Sequence, residues 1–211
     1  IHHLLTHTSG IKSYTGMQQW QPLWRKDMSP AEMIDVFKNQ PMDFAPGEKF
    51  LYNNSAYFLL GYIIEKASGL TYEQFLEDNI FKPLQMNNSY YGSHKKIIPN
   101  RAAGYQHQDG FTNAEYLSLT QPYSAGSIMS SVDDMLKWQN AVRDNKLVKA
   151  GTIQLAFKGY STNDNKPFHY GYGWGLNEIN GSPTLEHGGG IFGYTTNGIW
   201  LPREDVYIIM L

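Results

Sequence analysis

The sequence predicts an α/β fold of the α+β type, in which an antiparallel sheet is flanked by helices and accompanied by a helical lobe. Three observations carry that prediction. Helix starts and helical apolar spacing dominate the first two thirds of the 211 residues. Around residues 170–176 the period becomes two, with Gly171, Gly173 and Gly175 alternating with aromatic and aliphatic side chains. The closing residues read as strand, turn and strand about Pro202-Arg203-Glu204-Asp205, an antiparallel hairpin. Helices gathered first and strands gathered last is the pattern of segregated helical and sheet layers.

The elements follow in chain order. Residues 3–7 read as the last turns of a helix stopped at Gly10, because glycine readily takes the left-handed conformation that ends helices. His3 and His7 are four apart, the spacing of a metal pair. Leu4, Leu5 and Thr6 between them supply no glutamate, so structural histidines are the better reading. Ser29-Pro30-Ala31-Glu32 is a capping box with proline at the first helical position, and Met33, Val36 and Phe37 share a face until Pro41 ends the helix. Thr71-Tyr72-Glu73-Gln74 is a second capping box, carried on by Phe75, Leu76 and Ile80 as far as Pro83. Residues 87–127 lose all periodicity, a length that in a compact domain marks a functional lid or insertion. Ser130 or Ser131 then caps a helix with Asp133 and Asp134 at its start and Val132, Met135, Leu136 and Val142 facing inward.

Composition excludes several function classes. Seventeen basic and nineteen acidic residues are interspersed to a net charge of −2, so no basic face for nucleic acid exists. Without cysteine there is no disulfide framework, thiolate nucleophile or Cys-ligated zinc. No cofactor motif is present. The longest apolar run, residues 56–64, is half of what a transmembrane span needs. Both ends are apolar, Ile1-His2-His3-Leu4-Leu5 and Val206-Tyr207-Ile208-Ile209-Met210-Leu211. Domains normally begin and end in polar linkers, so the expectation is a fragment of a longer protein.

Residues 46–69 organise the chain. Tyr52 and Asn54, a phenol and a carboxamide two positions apart, stand on a loop at the mouth of the apolar helix that closes on Gly69. Taken alone, Asn54 also fits the N-cap of that helix and Tyr52 a core aromatic. His187 precedes Gly188, Gly189 and Gly190, where backbone N–H groups can reach a ligand with no side chain in the way. A satisfied loop histidine fits the same residues.

Together these segments carry a resemblance. His3-Leu4-Leu5-Thr6-His7-Thr8-Ser9-Gly10, Pro46-Gly47 through Tyr52-Asn53-Asn54, Gly61 through Gly69, Ser124-Ala125-Gly126 through Asp134, and His187-Gly188-Gly189 stand in the order and near the spacing of the serine β-lactamase and penicillin-binding-protein-like family. The match is best to the branch of class C β-lactamases, D-alanyl-D-alanine carboxypeptidases, D-amino-acid peptidases and esterases, and covers nearly the whole chain. The resemblance implies one partial domain over residues 1–211, with a helical lobe at 13–143 and part of a sheet lobe at 144–211. It implies a serine acyl-enzyme, an amide, lactam or ester substrate, either small molecule or peptide, no cofactor, and export to the periplasm or medium.

That family works with Ser-x-x-Lys, Tyr-x-Asn and Lys-Thr-Gly or His-x-Gly. The second falls on Tyr52 and Asn54 and the third on His187 and Gly189. By the resemblance Tyr52 carries the proton, Asn54 orients the substrate and a lysine, Gly188 and Gly189 bind substrate, and the N–H of Gly190 is an oxyanion donor. The first element belongs before Ile1. Ser9-Gly10-Ile11-Lys12 and Ser93-His94-Lys95-Lys96 match it literally, but so short a pattern arises by chance, and Ser9 sits beside a helix-ending glycine. Ser161-Thr162-Asn163 is likewise a chance match. A phenol of reference pKa about 10 needs about 4 kcal/mol to ionise at pH 7, more than one neighbouring cation commonly supplies. The intact protein is therefore expected to rely on the lysine of Ser-x-x-Lys as base. The competing expectation is an inactive relative that binds peptidoglycan-like peptides or a protein.

Overall fold

The computed structural model of the chain describes residues 1–107 and 109–211. Its helices are α1 (His2–Leu5), α2 (Pro30–Phe37), α3 (Asn54–Ser68), α4 (Tyr72–Leu76), α5 (Val132–Arg143) and α6 (Ala150–Ile153). Short strand pairs join β1 (Tyr90–Tyr91) to β4 (Ile128–Met129), β2 (Tyr105–His107) to β3 (Phe111–Asn113), and β5 (Tyr160–Ser161) to β6 (Pro167–Phe168). The main sheet is an antiparallel meander of β7 (Gly175–Ile179), β8 (Ser182–Ile191), β9 (Tyr194–Leu201) and β10 (Val206–Met210). Among the described residues no helix is long and apolar enough to cross a membrane.

Local chemistry sets the helix ends. Ser29 and Glu32 close the expected capping box on α2, and the Thr71 side chain accepts from the Gln74 N–H at the start of α4. α4 runs on through a π-helical turn at Glu77–Phe81. Helix α3 is capped by Asn53, whose side chain accepts from the Ala56 N–H, and stops at Gly69 with φ 74°.

Helix α3 is also the centre of the core. Ala56 and Phe58 are fully buried, and around Phe58 pack Tyr14, Phe37 and Tyr123, with Met33, Tyr72 and Phe81 completing the cluster. Gly61 lets the segment around Ser124 lie directly on the helix. The Ser124 hydroxyl donates to the carbonyls of Tyr57 at 2.8 Å and Phe58 at 3.1 Å.

Four expectations are corrected. Helix α1 ends at Leu5 rather than Gly10, because His7 takes φ 56° and turns the chain out of the helix. Residues 170–174 form a turn rather than a strand. There the Gly171 N–H bonds the Trp174 carbonyl, Gly173 has φ 80°, and Gly171 lies so close to the Ala156 carbonyl that a Cβ would stand 1.9 Å from its oxygen. The alternate glycines serve that close approach, and the strand starts only at Gly175. On α5, Val132 and Leu136 are exposed while Asp134 and Gln139 are buried. Asp134 faces inward because it accepts from the Asn88 N–H, the Ser89 hydroxyl and Lys137. Finally, His187 lies within a strand, since β8 continues through all three glycines to Ile191.

A Cβ added at Gly61 would stand 2.1 Å from Ser124 Oγ and 2.9 Å from the Tyr123 ring. Alanine gains about 1 kcal/mol of helix propensity over glycine, but overpacking costs about 1–3 kcal/mol and displacing the Ser124 hydroxyl costs about 1 kcal/mol more. Gly61→Ala is therefore expected to destabilise the protein by about 1–3 kcal/mol, read as a lower urea midpoint at unchanged m-value.

Candidate active site

The loop that precedes α3 is tied to the segment following α1. The Leu51 N–H donates to the His7 carbonyl and the Gly47 N–H to the Thr8 carbonyl, at 2.9 and 2.8 Å. Three polar groups of Asn53 serve the structure: its Oδ1 caps α3, its Nδ2 donates to the Ile11 carbonyl, and its N–H donates to His7 Nδ1 at 2.9 Å. The cap is thus Asn53, and Asn54 is the first residue of the helix. That frees the Asn54 carboxamide, whose Nδ2 donates to Thr15 Oγ1 at 3.1 Å, while its backbone N–H donates to Ser13 Oγ at 3.3 Å.

Tyr52 stands on the other side of Asn53. Its ring lies 4.1 Å from that of His7, 6.1 Å from that of His187 and 6.2 Å from that of Tyr170, centroid to centroid. The side chain is 46% exposed, so it is neither a core aromatic nor a free surface one. Burial pushes its phenol above the ordinary value. A phenolate is accordingly harder to form here than in water.

His187 is held by a definite network. Its Nδ1 lies 2.6 Å from the Gly188 carbonyl and its Nε2 3.0 Å from the Tyr170 hydroxyl. A carbonyl only accepts, so Nδ1 carries a proton, and Nε2 shares a hydrogen bond with the Tyr170 phenol. Tyr170 is buried, and burial together with Tyr57 and Tyr52 raises its pKa, which keeps it a donor.

The glycines lie on an open strand edge. β7 pairs with β8 only as far as Gly175 opposite Glu186, whereas β9 pairs with β8 along its length to Tyr194 opposite Ile191. In an antiparallel ladder hydrogen-bonded and non-hydrogen-bonded pairs alternate, and the pair flanking a two-residue turn is hydrogen-bonded. Counting back from Ile191, Gly188 and Gly190 point their N–H groups away from β9, past the end of β7. Among the described residues no atom lies within 4 Å of where a Cβ on Gly190 would stand, whereas one on Gly189 would meet Thr196 Oγ1 at 2.7 Å on the other face.

Asn54 and Gly190 line one cleft of about 450 Å³, together with Thr15, Trp20, Gln106 and Tyr194. Its rim is fixed by the turn at Phe192 and Gly193, where the Gly193 carbonyl accepts from the Tyr105 N–H and the Tyr194 hydroxyl donates to the Ala102 carbonyl. A second cavity of about 860 Å³ lies behind the sheet, lined by Arg143, Phe157, His169 and Trp200, and contains none of the sequence-predicted residues.

Sequence reasoning missed three neighbours. His7 stands out of the helix, away from His3, which instead bonds Thr8 Oγ1. Tyr170 was placed in a strand, and Thr15 had no signal at all. Only His7 had one, in the repeated histidines of residues 2–7. Of the literal Ser-x-x-Lys matches, Lys12 pairs with Asp43 at 2.6 Å, Lys96 pairs with Glu73, Ser93 Oγ accepts from the N–H groups of Lys95 and Lys96, and Ser9 is buried.

The fold is a mixed helix-and-sheet one built on an antiparallel meander, and the comparisons give its family. The family profile described as Beta-lactamase matches residues 1–211, and the chain belongs to that family. It is similar to penicillin-binding protein 4* of Bacillus subtilis (strain 168), at 29% identity over 93% of this chain and 47% of that protein. Among solved structures, the penicillin binding protein from Bacillus halodurans superposes with TM-score 0.83 at 26% identity, over 99% of this chain and 66% of that one. The D-stereospecific amidohydrolase from Streptomyces sp. shares the fold with TM-score 0.84 at 22% identity, over 99% and 66%. The chain spans about half the length, or less, of the curated relatives it matches.

Burial, and then the nearby His187, hold the His7 imidazole neutral, lowering its pKa from the ordinary 6.5 to about 4. A depressed histidine pKa contributes stability that is full above about pH 6.5 and is lost as pH falls through about 4, a difference worth about 3 kcal/mol. Wild-type protein is expected to lose stability over that window, and His7→Asn, with no imidazole to protonate, to lose less. Urea unfolding of both at pH 7 and pH 4 measures the difference, and equal losses would exclude His7 as the source.

Proposed function

We propose that this chain supplies the proton-transfer, substrate-orienting and oxyanion-binding parts of a serine hydrolase of the β-lactamase, D,D-peptidase or esterase type. In this reading the nucleophile is the serine of a Ser-x-x-Lys segment N-terminal to Ile1. Residues 13–143 act as the helical lobe and 144–211 as part of the sheet lobe, with the cleft between them. The observation that carries the reading is that Asn54 and Gly190, 136 positions apart in the sequence, line one cleft. Membership of the family and the 6.1 Å approach of the Tyr52 and His187 rings support it.

The reaction is acyl transfer from an amide, lactam or ester of a small molecule or peptide. The serine oxygen attacks the carbonyl carbon as its proton passes to the lysine. The carbonyl oxygen, now negative, is received by the N–H of Gly190 and that of the serine. Tyr52 returns a proton to the leaving nitrogen or oxygen, and water then releases the acyl group by the same path. Asn54 orients the substrate and the lysine through its carboxamide, whose Nδ2 is steadied by Thr15, and Gly188 and Gly189 let the substrate lie against the strand.

Tyr52 works here as a neutral phenol that relays a proton. Its pKa is pushed up by burial, and a histidine at position 187 supplies at most one cation to offset that. Lysine is thus the base. Replacing His187 with lysine brings a second cation to the phenol, and the pH–rate profile of the intact enzyme is expected to move to lower pH. An unmoved profile would refute the assignment of the base.

The reading as a whole is tested by intact mass spectrometry after incubation with a fluorophosphonate and with a penicillin. One fluorophosphonate adduct on a serine outside residues 1–211 is expected, together with a loss of about 10²–10⁴-fold in turnover for Tyr52→Phe. No adduct on the intact protein would favour the peptide-binding relative instead.

A further inference from the structure

We propose that His7 is the positioning residue of the Tyr52–Asn54 pair, setting the phenol through ring contact and the carboxamide through the backbone of Asn53. This inference rests on the serine-hydrolase reading for its catalytic consequence but not for its geometry. His7 is 1% exposed, yet it sits in a loop with φ 56°, a conformation uncommon for residues other than glycine. Such a conformation persists where surrounding contacts over-determine it. Here those contacts converge on one three-residue segment. The His7 carbonyl accepts from the Leu51 N–H, its Nδ1 accepts from the Asn53 N–H, and its ring lies against Tyr52 at 4.1 Å.

The ring is wedged from every side. Tyr57 stacks on it at 4.8 Å, with Tyr170 at 4.9 Å and Phe50 at 6.1 Å edge-on. Tyr57 is itself fixed, its hydroxyl donating to the Leu5 carbonyl at 2.9 Å. Because Nδ1 accepts a backbone N–H, the proton of the neutral ring is on Nε2, which is buried with no hydrogen-bond partner among the described residues. A buried unpartnered N–H is costly, and its retention is explained when the opposite nitrogen is needed as an acceptor. Leucine or phenylalanine would fill the site without that penalty, but neither can receive the Asn53 N–H.

The consequence is mechanical. Asn53 lies between the two proposed catalytic side chains, and its three hydrogen bonds run to His7, Ile11 and Ala56. Two of them come from its side chain. Only the bond to His7 fixes the peptide plane that joins Tyr52 to Asn53. Removing it releases the rotation that sets the distance from the phenol to the leaving group, and displacements of this kind are large in rate terms even where stability changes little.

Two variants separate the contributions. His7→Phe keeps a flat ring and removes the acceptor, whereas His7→Asn keeps an acceptor near the position of Nδ1, tolerates the left-handed conformation and removes the ring. The first readout is amide hydrogen exchange in the intact protein, which needs no activity. The Asn53 amide is expected to exchange at least about tenfold faster in His7→Phe, with the Ala56 amide unchanged, and to stay protected in His7→Asn. Unchanged Asn53 protection in His7→Phe overturns the proposal, as does equal acceleration in both variants.

The second readout is hydrolysis of a p-nitroanilide, whose leaving nitrogen needs the proton that Tyr52 is proposed to return. For His7→Phe, kcat is expected to fall about 10–100-fold with KM within about twofold, and His7→Asn to recover part of the loss. In a Tyr52→Phe background the same His7→Phe change should cost less than about threefold, because its effect runs through Tyr52. Fully additive losses would mean a merely structural role. If the intact wild type does not hydrolyse the anilide, the hydrolase reading fails, and the exchange experiment still decides whether His7 holds the loop.

Discussion

The hydrogen bond from the Asn53 N–H to His7 Nδ1 joins the beginning of the chain to the start of its central helix. What surrounds it explains why Asn53 is fully engaged and its neighbours are not. A helix N-terminus leaves unsatisfied N–H groups, and Asn53 answers one of them from its side chain while its own backbone is tied to residues 7 and 11. The segment before α3 therefore has no freedom to roll about its axis. Tyr52 and Asn54 project from a fixed backbone on either side of a residue that carries the structural duties. A carboxamide that capped α3 would have its oxygen committed to Ala56; the shift of the cap by one position leaves Asn54 to face the cleft.

The sheet meets this loop through packing rather than through backbone pairing. The Tyr52 ring lies 4.1, 6.2 and 6.1 Å from the rings of His7, Tyr170 and His187, and edge-on and tilted contacts of this sort favour particular geometries. Tyr170 occupies the turn before β7, where the close approach of Gly171 to Ala156 fixes its position. From there its hydroxyl reaches His187 on β8. The glycines beyond His187 remain accessible because β7 has already ended.

Much of the helical part was legible because its signals are local. The caps at Ser29, Thr71 and Ser131 and the stop at Gly69 rest on side chains or conformations within a few residues of the helix ends they define. The inward face of α5 was misread because burial of Asp134 depends on Asn88 and Ser89, more than forty positions earlier. The alternating glycines of residues 171–175 gave a period of two for a reason unrelated to a strand, namely contact with a carbonyl at Ala156. Tyr52, Asn54, His187 and the three glycines were visible as a pattern of residue types. The partners that orient them, Thr15, His7 and Tyr170, come from distant segments, and no periodicity announces such contacts.

The meander of β7 to β10 has a bearing on how this chain acquires its shape. Asn180 and Gly181, with φ of 50° and 80°, form a type I′ turn whose twist matches the strands it joins. Each strand in the sheet pairs with its immediate predecessor, so the loops to be closed are short and the entropy of closure is small. The Tyr52 loop is the opposite case. It is secured by partners 46 residues away at His7 and 42 away at Ile11, and α3 is joined to Ser124 across 66 or 67. Contacts of long sequence separation are the slow ones in folding. The glycine strand can therefore take its register early, on local terms, whereas the geometry of Tyr52 and Asn54 is settled only once distant parts of the chain have come together.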